Sequence, residues 1–327
     1  MKIRKFEKEK DLEELEKYLR EQYSENRTPV TWIPERLHDL IYRVSAQETD
    51  DGREISAENI YLWGEYGVIE GCILPDGENI YFSVKKGYET LFPLMVAFSE
   101  KHCQKMFGRA SDGSVKFWIA SCNSLDYQTD VLKKAGYTRI SDEECWNCID
   151  PQEMTSPILL PRGYRLMYED DCSDEEKKWS ALRLSFHPEW EAADYRAPMG
   201  PYNMRKESSM YEDSFECLIA DDYSDERNDI CSYCFVYVDT PTATAMIEPV
   251  GTREKYMHKG LGMALLRAAV LRCREAGIRK CYVDSFGWRR EFYRKAGFKC
   301  EESFGFWYKV IMPDNTQDQP VRSAVFS

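Results

Sequence analysis

Two glycines set two apart, at the start of an apolar-faced helix, carry the clearest chemical content in this sequence. The turn Met257-His258-Lys259-Gly260-Leu261-Gly262-Met263 runs into ALLRAAVLRC, where Leu261, Leu265, Ala268 and Leu271 recur at helical spacing. Glycine inside a helix costs ~1 kcal/mol against alanine. Two of them in a first turn suggest that room is being made for a ligand to approach the backbone. A first turn also offers unpaired N–H groups and the positive end of the helix dipole, which together suit a pyrophosphate. His258 and Lys259 can add positive charge. Just upstream lies the strand-like run ATAMIEPV, residues 243–250. Pro249 cannot donate to a ladder, so the edge near Val250 to Thr252 reads as open, and an extended ligand arm can pair there. The competing reading of the two glycines is close packing of helix on strand.

Glu248 is a carboxylate in the middle of that apolar strand, a placement that usually has a reason. Strand alternation puts Met246, Glu248 and Val250 on one face. Glu248 is therefore a candidate general base, against the alternative of a solvent-facing or arginine-paired residue. Tyr293, in FYRKAGF, reads by itself as a helix tyrosine packing on the strand that follows.

The elements that must position these residues come in two similar series. The first half reads as a strand near Ile3, an amphipathic helix with Leu12, Leu15 and Leu19 on one face, and a second helix near Leu37 to Val44. Three strands (60–66, 68–74, 79–84), a helix near 91–98, a strand 115–120, a helix ending in LKKAGY and a strand 137–149 follow. The proline-bearing segment DPQEMTSPILLPRGY reads as a linker. The order then restarts with strand 164–167 and helix 175–185. After a poorly patterned stretch, 187–212, come strands 215–220, 230–238 and 243–250. Helix 260–276, strand 280–284, a helix ending in YRKAGF and strand 299–310 complete the series. Short strands in succession before a helix predict an α/β fold with a mixed sheet.

Net charge is −13, which disfavours a nucleic-acid partner. From Arg253 to Lys299, however, thirteen Lys and Arg face four Asp and Glu. The most basic stretch thus coincides with the glycine turn, as a polyanionic small ligand requires. No apolar run approaches the ~18 residues of a membrane span, and the N-terminal residues are charged and helical rather than signal-like. A cytoplasmic protein with no membrane partner is the expectation. Twelve cysteines are scattered through both halves. The C-x-x-C pairs Cys145/Cys148 and Cys231/Cys234 fall in strands, where positions three apart face opposite sides. No metal site is expected from them; buried free thiols are.

The stretch EPVGTREKYMHKGLGMALL, followed by FYRKAGF, resembles the signature of the GNAT superfamily of acetyl-CoA-dependent N-acetyltransferases, over about Tyr164 to Val310. The two-part organisation looks most like the tandem GNAT proteins that include mycothiol synthase. The resemblance implies two GNAT-like domains in tandem, each a mixed, mostly antiparallel sheet flanked by helices. The boundaries would be residues 1–150, a linker 151–163, a catalytic domain 164–310 and a tail 311–327. It implies acetyl-CoA (CoA) held by Val250, Thr252, Met257, His258, Lys259, Gly260, Leu261, Gly262 and Met263. It also implies a primary-amine acceptor, Glu248 as base and Tyr293 as the acid beside the leaving thiolate. Met257 stands where the family has Arg or Gln, and Phe286 where it often has Asn. In the first half the corresponding turn is VKKGYETLF, with Glu89 at the second glycine position and Leu132 in place of Tyr293. That half is expected to bind no cofactor. The segment 187–214 is expected to line the acceptor side, with Trp190 and Tyr195 as candidate contacts and Glu191 and Asp194 suited to a cationic amine. The chain is expected to be a monomer or homodimer. A non-catalytic CoA-binding protein and a protein or peptide N-acetyltransferase are the competing readings.

Overall fold

The computed structural model describes residues 2–42, 59–102, 104, 107–193, 198–224 and 229–312. The first half comprises β1 (Lys2–Lys5), α1 (Lys8–Asn26), α2 (Pro34–Tyr42), β2 (Tyr61–Glu65), β3 (Val68–Asp76), β4 (Asn79–Val84), α3 (Phe92–His102), β5 (Val115–Cys122), α4 (Asp126–Lys134) and β6 (Thr138–Ile149). The second comprises β7 (Tyr164–Met167), α5 (Glu175–Phe186), α6 (Gly200–Lys206), β8 (Cys217–Asp221), β9 (Asp229–Cys234), β10 (Tyr237–Asp239), β11 (Thr244–Met246) and β12 (Val250–Thr252). It ends with α7 (Leu261–Glu275), β13 (Lys280–Phe286), α8 (Arg290–Ala296) and β14 (Lys299–Ile311). Helix α6 lies in the stretch that sequence patterning left without an element.

Both halves have mostly antiparallel strands flanked by helices. What the repeated order does not reveal is that they share one sheet. Ten strands run in the order β1-β2-β3-β4-β5-β14-β6-β13-β11-β10. The last strand of each half lies within the other half's sheet. β14 pairs with β5 from Phe304↔Cys122 to Ile311↔Val115 and with β6 on its other side. β6 in turn pairs with β13 from Cys281↔Ile149 to Phe286↔Glu144. Residues 151–163 connect two halves that are interlocked by this exchange. A second sheet, β12-β9-β8-β7, belongs to the C-terminal half alone.

Helix α2 is the seam between the halves. Every residue from Pro34 to Tyr42 is buried, although four are Glu35, Arg36, His38 and Asp39. The helix packs on β10, β11 and α6 of the other half. Its polar groups are matched across that contact, as buried charges require. Arg36 pairs with Asp284 on β13 at 3.1 Å. Arg205 on α6 donates to Asp39 at 2.7 Å. His38 bonds Ser208 at 2.7 Å and Glu16 at 2.8 Å.

Glu35 differs: its carboxyl is fully buried, with the Thr244 side chain beside it. Burial, with the Asp239 carboxylate adding to it, pushes its pKa up to about 8. The native state therefore holds a proton here that the unfolded chain, with a pKa of about 4.3, has released. Stability must fall as pH rises from about 4 to about 8. Glu35→Gln is expected to raise stability by several kcal/mol at pH 8. That gain should shrink steadily as pH falls toward 4, as read by urea unfolding at each pH. A gain independent of pH would show that Glu35 is not protonated in the fold.

Candidate functional site

The site is opened by a hairpin that changes sheets midway. β10 and β11 pair within the ten-stranded sheet, while β9 and β12 pair within the four-stranded one. The bends fall at residues 235–236 and 247–249, tied by Phe235 N–H donating to the Pro249 carbonyl at 3.1 Å. β11 runs parallel to β13. Ile247 N–H to the Tyr282 carbonyl, 2.9 Å, continues that ladder. Beyond it β12 leaves with β9 and β13 stays with β6, so the two strands diverge and a cleft opens. β12 is an edge strand, so one side of Val250–Thr252 has no ladder partner.

The predicted continuous strand 243–250 is therefore two strands, and alternation does not carry across the bend. Met246 belongs to the core shared by both halves, whereas Val250 packs with Ala245 and Ile247 on the α7 side. Glu248 faces a cavity because the chain bends at Pro249, not because it shares a strand face with Met246.

The glycine turn closes one end of the cleft. Gly260 is the N-cap of α7, with φ 81°, and His258 also has positive φ, 62°. Two left-handed residues so close together turn successive backbone groups, the kind of geometry that forms anion-binding concavities. The first helical bond comes from Ala264 N–H to the Gly260 carbonyl, 3.1 Å, so the amides of Leu261, Gly262 and Met263 have no acceptor within the helix. A Cβ on Gly262 would lie 3.2 Å from Thr252 Oγ1 and 3.4 Å from Phe292 Cζ. A bare backbone thus lets β12, α7 and α8 meet around the cleft.

The cleft is about 520 Å³, and Val250, Thr252, Met257, His258, Gly260, Leu261, Gly262 and Met263 all line it. Lys259 does not. Its ammonium donates to the Tyr164 hydroxyl at 2.9 Å and lies 5.0 Å from the Tyr256 ring centre. Any contribution of Lys259 to an anion is through its backbone. Sequence reasoning missed six lining residues: Ser185 and Phe186 at the end of α5, Gly251, Tyr256, Arg289 and Phe292. One indirect signal existed, the bare Gly251, where a Cβ would stand 2.5 Å from Ser185 Cβ.

Tyr293 sits at the junction of this cleft with a second cavity of about 330 Å³. The two share Phe186, Val250, Arg289 and Tyr293. Glu248 and Asp284 line the second cavity, together with Arg36 and Asp39 from the first half. Tyr293 is 6% exposed. Burial raises its phenol pKa, the carboxylates of Glu248 and Asp284 raise it further, and Arg289 opposes them. The phenol therefore stays protonated at neutral pH. Asp284, Arg36 and Asp39 escaped sequence reasoning because they converge from elements in opposite halves of the chain, β13 and α2.

Trp190 is not in either lining. It stacks on His187 with ring centres 3.8 Å apart, and Arg183 lies 5.4 Å over its face. It is Arg183 that reaches the second cavity. The Glu191 carboxylate pairs with Arg253 and with Lys255, so it serves the fold around β12 instead of an incoming amine. Tyr195 and Asp194 lie outside the described residues. In the first half, Glu89 Oε1 accepts from the Gly87 amide at 2.9 Å, so a carboxylate stands beside the corresponding turn. Leu132 is fully buried in that half's core.

Comparison with known proteins places residues 213–300 in the acetyltransferase (GNAT) domain family. That stretch, residues 213–300, is similar to a GNAT acetyltransferase domain. The match spans β8 to the start of β14, and so includes the bent hairpin, the glycine turn and Tyr293. No curated protein sequence gives a significant match. Among solved structures, the chain is similar to a GCN5-related N-acetyltransferase from Sphaerobacter thermophilus. The identity is 16%, the TM-score 0.63, and 95% of this chain and 96% of that one are covered. It is also similar to a tandem GNAT protein of the clavulanic acid biosynthesis pathway, at 15% identity and TM-score 0.58, covering 96% and 99%. The chain thus has the tandem GNAT fold along almost its whole length, including the first half that the family model does not reach. Among the described residues no helix is long and apolar enough to cross a membrane.

Proposed function

We propose that the protein transfers an acetyl group from acetyl-CoA to a primary amine of a small molecule. The observation that carries this reading is the placement of Tyr293 between two joined cavities, one ending at the glycine turn and one lined by carboxylates. Acetyl-CoA supplies an activated thioester. The amides of Leu261, Gly262 and Met263 hold its pyrophosphate, and the free edge of β12 pairs with its extended arm. The cleft's lining fits such a ligand, being polar at the turn and largely apolar beyond it.

The second cavity receives the amine. Glu248 accepts the proton that an ammonium must lose before it can attack, directly or through a water. Tyr293, protonated at neutral pH, donates a proton to the departing thiolate. The first half binds no cofactor in this scheme. It supplies the wall of the acceptor cavity through Arg36 and Asp39, which gives a physical reason for the interlocked sheet.

Glu248→Gln keeps the side chain's shape and removes the base. Turnover with a panel of small primary amines is expected to fall most near pH 7 and to recover in part toward pH 10, where more of the amine is already free. An equal loss at every pH would assign Glu248 to binding or structure. Acetyl-CoA binding without release of CoA on any amine would favour a non-catalytic binding protein. Acetylation of peptide N-termini alone would move the reading to a larger acceptor.

A further inference from the structure

The strand exchange brings together two thiols from opposite halves of the chain. Cys145 on β6 and Cys300 on β14 have their sulfurs 2.7 Å apart. The two strands are neighbours in the ten-stranded sheet, with a register shift between Cys300 and Glu302. Cys300 opposes Asn147 and Cys145 opposes Ser303, so the cysteines form a diagonal pair across the irregular part of the ladder. Sequence patterning led to an expectation of buried thiols. Cys145 is buried but Cys300 is exposed. Cys145 also stands apart from its C-x-x-C partner Cys148, which lies beside Tyr282 and Glu301 instead.

We infer that Cys145 and Cys300 are a site of reversible oxidation, closing a disulfide that joins the last strand of each half. A disulfide bond is ~2.05 Å long, so roughly 0.7 Å of approach closes it. The exposed member is also the reactive one. Contact between the two sulfurs, with the Arg290 guanidinium nearby, lowers the Cys300 thiol to about 7, which favours its thiolate. Cys145 is held protonated by the same contact and by burial. This divides the roles. With hydrogen peroxide as oxidant, Cys300 thiolate attacks one peroxide oxygen, the O–O bond breaks, and hydroxide leaves, taking up a proton to become water. Cys300 is then a sulfenic acid. Cys145 attacks that sulfur, the S–S bond forms, the S–O bond breaks, and a second water leaves with the Cys145 proton. Two thiols have supplied the two electrons that reduce one peroxide to two waters.

The bond closes a loop from residue 145 to residue 300 and fixes β14 against β6. Loops of that length are the ones in which a crosslink restricts the unfolded chain most. Oxidation therefore makes the interlocked sheet harder to open, and reduction releases it. Cys145 also opposes Ser285 on β13, which lines the second cavity, so the crosslink lies one residue from the proposed acceptor site. The inference itself rests only on the two sulfurs and their strands, and stands whether or not the acceptor reading does.

The test is to treat the full chain with a small excess of hydrogen peroxide, block free thiols by alkylation, and digest without reductant. The expected result is one crosslinked peptide pair containing Cys145 and Cys300, lost on treatment with dithiothreitol and absent from both Cys300→Ser and Cys145→Ser. The oxidised wild-type chain is expected to unfold at a higher urea concentration than the reduced one, a difference missing in Cys300→Ser. The inference is overturned if oxidised Cys300 is found as a sulfinic or sulfonic acid with Cys145 still alkylated after unfolding. It is also overturned if Cys300 pairs with Cys148 or with a second chain.

Discussion

Gly262→Glu is expected to abolish acetyl-CoA binding while the chain remains folded. The amides of Leu261, Gly262 and Met263 have no acceptor in α7 and carry the positive end of the helix dipole. A glutamate at residue 262 brings a carboxylate into the cradle itself. Two unit charges 4 Å apart repel by about 4 kcal/mol at an effective dielectric of 20, which is about a thousandfold in affinity. The side chain also fills space, since its Cβ starts 3.2 Å from Thr252 Oγ1. The fold is expected to hold if the Thr252 hydroxyl and Phe292 ring, both side chains, shift by a few tenths of an ångström. Glutamate's better helix propensity, up to ~1 kcal/mol over glycine, offsets that cost. A glutamate already stands at the corresponding position of the first half, where Glu89 accepts from the Gly87 amide. Two hydrogen bonds, from the Gly87 amide and from its own, hold the Glu89 carboxyl below its usual range. Calorimetry and circular dichroism on the variant check both parts. Binding within threefold of wild type would mean that the pyrophosphate does not sit at this turn.

The second large effect is at Tyr293. Tyr293→Phe is expected to lower turnover by ~10²-fold, the usual range for loss of one positioned general acid, with acetyl-CoA affinity nearly unchanged. The ring's packing survives the change. Tyr293 stacks edge-on to Phe292 and Phe298, at 5.2 and 6.1 Å, and neither contact uses the hydroxyl. Turnover at the wild-type rate would return Tyr293 to the role of a packing residue. A rise in KM for acetyl-CoA with kcat unchanged would make it a binding group.

The glycine turn was legible in the sequence because its signal is local. Residue type and spacing at Gly260 and Gly262 state a backbone requirement that no distant partner alters. The order of strands and helices was legible for the same reason. The strand exchange was not. LKKAGY and FYRKAGF each precede a strand of similar length, and nothing in either strand says which sheet it joins. That choice is made by contacts separated by more than a hundred residues, such as Phe304 with Cys122.

The second cavity was hidden by the same distance. Arg36 and Asp39 belong to a helix whose charged residues read as solvent-facing by type, but it is buried along its whole length. Glu191 read as an amine-binding carboxylate because its partners Arg253 and Lys255 lie sixty residues on, across the fold. Glu248 came to the site by an alternation argument that the bend at Pro249 breaks. Its place in the cavity follows from the hairpin's change of sheet, which a periodic reading cannot register.

The central claim is that one half of this interlocked fold binds acetyl-CoA and the other does not. Isothermal titration of the wild-type chain with acetyl-CoA tests it most directly. One molecule bound per chain is expected, because the turn at Gly260 to Met263 presents open amides, whereas the first-half turn carries the Glu89 carboxylate beside its Gly87 amide. Two molecules bound per chain, or none, would contradict it.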